Sequence, residues 1–124
     1  MTMKSVYLYN LHTPKGDAIR RLCRGMGIPV VEVAREDYLQ PIGAIAGFPG
    51  FVRTPLRFEG VAFPDEMMLF QDFDDTDLSR FLTRYRDAGI ARVDLKAGLT
   101  PHNIFWNSLQ LHDELAEEHR LMNS

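Results

Sequence analysis

Two lysines, a threonine and an asparagine are the residues whose chemistry would matter most in this chain. Lys15 follows Thr13-Pro14, and Lys96 precedes Thr100-Pro101-His102-Asn103. An ammonium group beside the exposed amides of a helix start is a standard way to hold an anion. Lys15, Lys96, Thr100 and Asn103 are therefore the candidate ligand-binding residues. A structural account competes at each place. Thr13 and Thr100 are good N-caps, Pro suits the first helical position, and Asn103 can answer Thr100 in a weak capping box. Lys15-Gly16 has no phosphate-loop pattern around it. Asp72, Asp74, Asp75 and Asp77 invite a metal, but lack the central Gly and distal Glu of a calcium loop. Acids at a helix start are stabilised by its dipole, so capping is the expected role and no metal is assigned. Cys23 falls on the apolar face of its helix, and no Gly-x-Ser-x-Gly elbow occurs. No catalytic residue is assigned, and no cofactor.

Three further side chains have two readings each: the histidines of the last helix are either partly buried and hydrogen-bonded or near a surface where that helix meets a partner. From 104 to 122, at ~100° per residue, Ile104, Phe105, Leu109, Leu115, Ala116 and Met122 share one arc of ~140° with His112 and His119. Seven residues apart, the two histidines are too far along one helix to share an ion. Trp106 falls on the opposite, polar arc, where the indole is either covered by a loop or anchors an interface. Trp106, His112 and His119 are the candidate partner contacts.

These residues need elements to hold them. Val6–Asn10, 29–34, 67–71 and 92–96 read as buried strands. Helices follow from Pro14 to Met26, about 38–46, 74–88 and Thr100 to about Leu121, with Gly27 and Gly89 as stops. Residues 55–63, alternating around Glu59-Gly60, read as a small hairpin. The two halves of the 124 residues also align without a gap at an offset of 62. Tyr7-Leu8-Tyr9 falls on Leu69-Phe70-Gln71, and Arg24, Gly27, Ile28, Val31 and Ile42 fall on identical residues. Residues 1–62 and 63–124 thus read as half-repeats of one domain, each strand-helix-strand-helix.

That alternation predicts an α/β fold. Its four-stranded, mainly parallel sheet has order 2-1-3-4, helices on both faces and the hairpin inserted. A twofold axis along the strands would pair the first strands of each half in parallel. A ferredoxin-like α+β arrangement is the alternative, and it needs antiparallel pairs.

Leu95-Lys96-Ala97, Thr100-Pro101 and Asn103 with Trp106 resemble the signature of an uncharacterised bacterial domain-of-unknown-function family, family 3783. Leu69-Phe70, Phe73 and Ala88-Gly89-Ile90 match as well, so the resemblance is clearest over 67–122. It implies a site to watch and no activity.

Composition narrows the classes left. The net charge of -3 divides into +3 for residues 1–62 and -6 for residues 63–124. Arg20, Arg21, Arg24 and Arg35 are too scattered for a nucleic-acid face. No run is long and apolar enough for a signal peptide or a membrane span. One cysteine allows no internal disulfide, and a cytoplasmic location follows as the default. The expectation is a non-catalytic cytoplasmic domain that binds or assembles through protein contacts, as a homodimer or with an unidentified protein. The alternative is a small-molecule or anion binder, or a weak enzyme, with its site at the C-terminal ends of the strands.

Overall fold

The structure is a computed structural model and describes residues 3–123. Strand β1 (Ser5–Tyr9) leads through helix α1 (Pro14–Gly25) to β2 (Val30–Glu32). A 3₁₀ turn (Arg35–Asp37) and the short α2 (Ile42–Ile45) follow. After a long irregular segment come β3 (Met67–Gln71), α3 (Asp75–Asp87) and β4 (Leu95–Gly98). A second 3₁₀ turn (Asn103–Phe105) precedes α4 (Ser108–Met122). The sheet order is β2-β1-β3-β4, as the element pattern predicts.

The two outer pairs are parallel and the central β1–β3 pair is antiparallel. This replaces the parallel central pair expected from a twofold along the strands. The ladder is symmetric about Tyr7↔Leu69, with Ser5↔Gln71 and Tyr9↔Met67 flanking it. An axis perpendicular to the sheet through Tyr7 and Leu69 fits that register. The ferredoxin-like alternative fails on the outer pairs, which keep the parallel crossovers.

Every residue of β1 and β3 is buried, because both faces of the sheet are covered. Side chains alternate across a strand, so Val6, Leu8, Met68 and Phe70 meet Ile19 and Cys23 of α1 and Phe81 and Tyr85 of α3. Tyr7, Tyr9, Met67, Leu69 and Leu95 face the other way, toward Tyr38, Ile42 and Leu111. Helix starts are capped as their sequences suggest. The Thr13 hydroxyl accepts from the Gly16 amide at 3.1 Å. Asp74 and Asp77 form a reciprocal capping box. At Gly16 a Cβ would lie 1.6 Å from the Leu11 carbonyl oxygen, so only glycine lets α1 start this close to the strand end.

Four element readings need correction. Residues 55–63 form no hairpin and no strand. Their backbone is engaged by side chains instead. Buried Gln40 donates from Nε2 to the Thr54 and Leu56 carbonyls at 2.9 and 3.0 Å and accepts from the Thr54 amide at 2.8 Å. Asn10, in a left-handed conformation with φ 59°, donates to the carbonyls of Phe63 and Asp65. Secondly, α2 is only four residues long and opens after Pro41. Thirdly, β4 begins at Leu95. Val6 pairs with Val30, but Met68 pairs with Lys96 and not residue 92, so the second strand of the second half enters four positions late.

Fourthly, the last helix begins at Ser108 and not at Thr100. Trp106 is extended, with ψ 160°. Its carbonyl accepts from the Ile42 amide at 2.8 Å, and Asn107 bridges to Pro41. Those contacts with the α2 region pull the chain out of helix. Asn107 then starts afresh with Gln110 as its capping-box partner.

Candidate functional site

The antiparallel centre sends the C-terminal ends of β1 and β4 to opposite ends of the sheet. The candidate ligand residues consequently do not converge. Lys15, at the start of α1, sits by the end of β1. Its ammonium donates to a Glu66 carboxylate oxygen at 2.7 Å and to the Arg92 carbonyl at 2.9 Å. Lys96 lies near the start of β4, and its ammonium donates to the next carbonyl along, that of Val93. Burial, and then the nearby Arg92, hold the Lys96 ammonium below the ordinary lysine value. The two lysines thus brace one turn, residues 92–93, from two elements.

Thr100 and Asn103 lie beyond the other end, after Gly98. Asn103 is buried. Its Oδ1 accepts from the Thr100 amide at 2.9 Å, its Nδ2 donates to the Gly98 carbonyl at 2.9 Å, and its amide donates to the Thr100 hydroxyl at 3.0 Å. Both side chains therefore serve the turn that carries the chain from β4 to Trp106. The Asp74–Asp77 box is equally local. The Asp74 amide, and then Lys4, hold the Asp77 carboxyl below its usual value. Among the described residues, no group of three or more His, Cys, Asp or Glu could hold a metal ion.

Cys23 is buried in the core, and burial pushes its thiol up to about 11. Such a thiol is a poor nucleophile at neutral pH. The Tyr9 hydroxyl and the Ser108 hydroxyl meet at 2.7 Å with both residues fully buried. Burial raises the Tyr9 hydroxyl well above the ordinary tyrosine value, so this pair is a neutral polar pin between β1 and α4.

The histidines differ in setting. His112 is buried and stacks on Phe63 with ring centroids 3.8 Å apart. Its Nε2 lies 2.8 Å from Asp65 and its Nδ1 3.1 Å from Asp113. His119 is half-buried, 3.7 Å from Asp94. It lines a shallow acidic depression with Asp65, Glu66, Asp94 and Arg120. Neither histidine sits with Trp106. The indole is half-buried, with His102 edge-on to it at 5.3 Å.

Next to Trp106 in the chain lies Phe105, whose exposure the sequence patterns do not single out, although the apolar segment from Ile42 to Phe51 against which it rests is legible there. Phe105 is 70 % exposed and rests on Phe51, centroids 5.0 Å apart. Phe51 in turn lies flat over Gly43, where a Cβ would come 2.6 Å from its ring. Val52 beside it is 78 % exposed. An apolar face thus spans the α2 loop and the second 3₁₀ turn, drawn from both halves of the chain. The helical wheel of 104–122 hides it, because it sets Phe105 on the apolar arc of a helix that starts three residues later.

No helix among the described residues is long and apolar enough to cross a membrane. Neither the curated proteins nor the solved structures give a match. Residues 66–122, from the residue before β3 to the end of α4, match the model of the family described as Domain of unknown function (DUF3783), the family that this segment resembles in its residues.

Proposed function

We propose that this chain is a non-catalytic binding or assembly domain that works through protein–protein contacts, and that its partner is a second copy of itself. The observation that supports this is the Phe51–Phe105 pair, with Phe105 70 % and Val52 78 % exposed. Aromatic side chains are enriched in protein–protein interfaces, and an exposed apolar patch marks a contact site. The polar candidates offer less to a ligand, since Lys15, Thr100 and Asn103 are each engaged by their own chain.

The halves carry +3 and -6, and the apolar face draws on both. A twofold dimer puts the same patch of each copy face to face. The two β-α-β units belong to the same reading as a tandem repeat. Supporting it, the left-handed residues Asn10 and Asp72, and Gly27 and Gly89, all fall 62 apart. A reducing, cytoplasmic setting fits the single buried Cys23.

Trp106 emission reports on the interface, because the indole adjoins Phe105. On serial dilution the emission maximum is expected to shift to the red as the dimer separates, and Phe105→Glu is expected to hold the shifted value at every concentration. An emission maximum unchanged by dilution, and equal in wild type and Phe105→Glu, would contradict the proposal.

A further inference from the structure

Residues 58–65 lie across the aromatic cluster of Tyr9 and Tyr38 without any strand pairing. Phe63 enters that cluster as the middle ring of a stack. It is 4.8 Å from Tyr38 at an interplanar angle of 10°, and 3.8 Å from His112 at 9°. The same imidazole reaches the segment a second time through Asp65, at 2.8 Å from Nε2. Its other nitrogen faces Asp113 of α4 at 3.1 Å.

This geometry distinguishes the two protonation states of the ring. An ionised carboxylate only accepts hydrogen bonds, and neutral imidazole has one N–H to donate. The imidazolium has two, so it alone can donate to Asp65 and Asp113 together. A positive ring over the face of Phe63 is also favoured. In the neutral ring, a nitrogen lone pair must face one of the carboxylates.

We propose that His112 is a proton-operated latch on residues 58–65: the imidazolium holds the segment shut over the Tyr9–Tyr38 cluster, and loss of the proton loosens it. The groups facing the ring are Asp65 and Phe63 from the segment, and Asp113 from α4. One helical turn back, the Ser108 hydroxyl is taken by Tyr9 of β1. Beyond Asp65 lie Glu66, held by Lys15, and the depression lined by Asp94, His119 and Arg120. Asn10 ties the carbonyls of Phe63 and Asp65 in either state. The loosening therefore falls on the residues before Phe63, where Phe58 holds the Glu36 carbonyl through its amide at 3.2 Å.

Arg57 is exposed immediately before Phe58, so tryptic cleavage there reads the opening. The full chain is cleaved at about pH 5.5 and about pH 8.5, on either side of the ordinary histidine range. Each rate is divided by that of a free peptide of residues 51–66 at the same pH. The normalised rate is expected to rise several-fold at the higher pH in wild type. It should be high and independent of pH in Asp65→Asn and in His112→Phe, which keeps the stack. A flat wild-type profile would overturn the latch whether or not the variants fold. So would an undiminished rise in either folded variant.

Discussion

Replacing Gln40 by alanine removes three hydrogen bonds in one step, all of them to the irregular segment after α2. The amide donates to the Thr54 and Leu56 carbonyls and accepts from the Thr54 amide, and the residue is only 4 % exposed. No ladder bond substitutes, because the segment has no strand partner. Each bond contributes about 1 kcal/mol net, and groups left unpaired away from water cost more. Water can reach Thr54 and Leu56 in the variant, so the loss should be about 2–4 kcal/mol and not the full sum of three orphaned groups. Thermal midpoints should fall by about 5–15 °C. Urea unfolding followed by circular dichroism measures the first and a melting curve the second. Gln40→Glu sharpens the test. At neutral pH its carboxylate would face two carbonyl oxygens with nothing to donate, so it should cost at least as much as alanine. Its folded pKa must then lie above the unfolded one. The penalty appears as pH rises through the unfolded value and fades as pH falls below it. A Gln40→Ala variant within about 0.5 kcal/mol of wild type, the range of an ordinary surface change, would refute the claim that side chains replace strand pairing here.

Three other outcomes follow from the same structure. Gly43→Ala places a methyl 2.6 Å from the Phe51 ring; it should cost about 1–3 kcal/mol by overpacking, and an unchanged melting point would contradict the contact. Cys23, with its thiol pushed up to about 11, should resist a thiol reagent in the native protein and react fully in urea; stoichiometric labelling under native conditions would contradict its burial. Asp77 has its folded pKa below the unfolded one, so its stabilisation is present above the unfolded value and lost as pH falls toward the folded value. The stability gap between wild type and Asp77→Ala should therefore shrink on acidification, and a gap independent of pH would contradict the capping role.

The strand order, the helix starts at Thr13 and Asp74 and the glycine stops were legible because each depends on local chemistry or periodicity. Tyr7 and Leu69 were also paired by the sequence offset, and they face each other in the central ladder. The direction of that pairing was not legible. A parallel and an antiparallel neighbour bury the same alternating residues, and only the long connection through 46–66 decides between them. The hairpin at 55–63 failed for a related reason. Its alternation of Leu56, Phe58, Val61 and Phe63 is genuine, but Gln40 and Asn10 claim its backbone, and a lone Gln before Pro41 carries no pattern. For the candidate site, capping chemistry placed Thr100 and Asn103 correctly as mutual partners. Their separation from Lys15 depended on the strand direction. The exposure of Phe105 depended on the break at Trp106, which comes from a contact with Ile42 more than 60 residues earlier.

Self-association through the Phe51–Phe105 face is the central claim, and sedimentation velocity of the full chain over a concentration series tests it most directly. Wild type should pass from monomer to dimer as concentration rises, while Phe105→Glu, with an unchanged circular dichroism spectrum, should sediment as a monomer throughout. A wild-type chain that remains monomeric at the highest concentration, or a Phe105→Glu chain that dimerises as readily, would contradict the account.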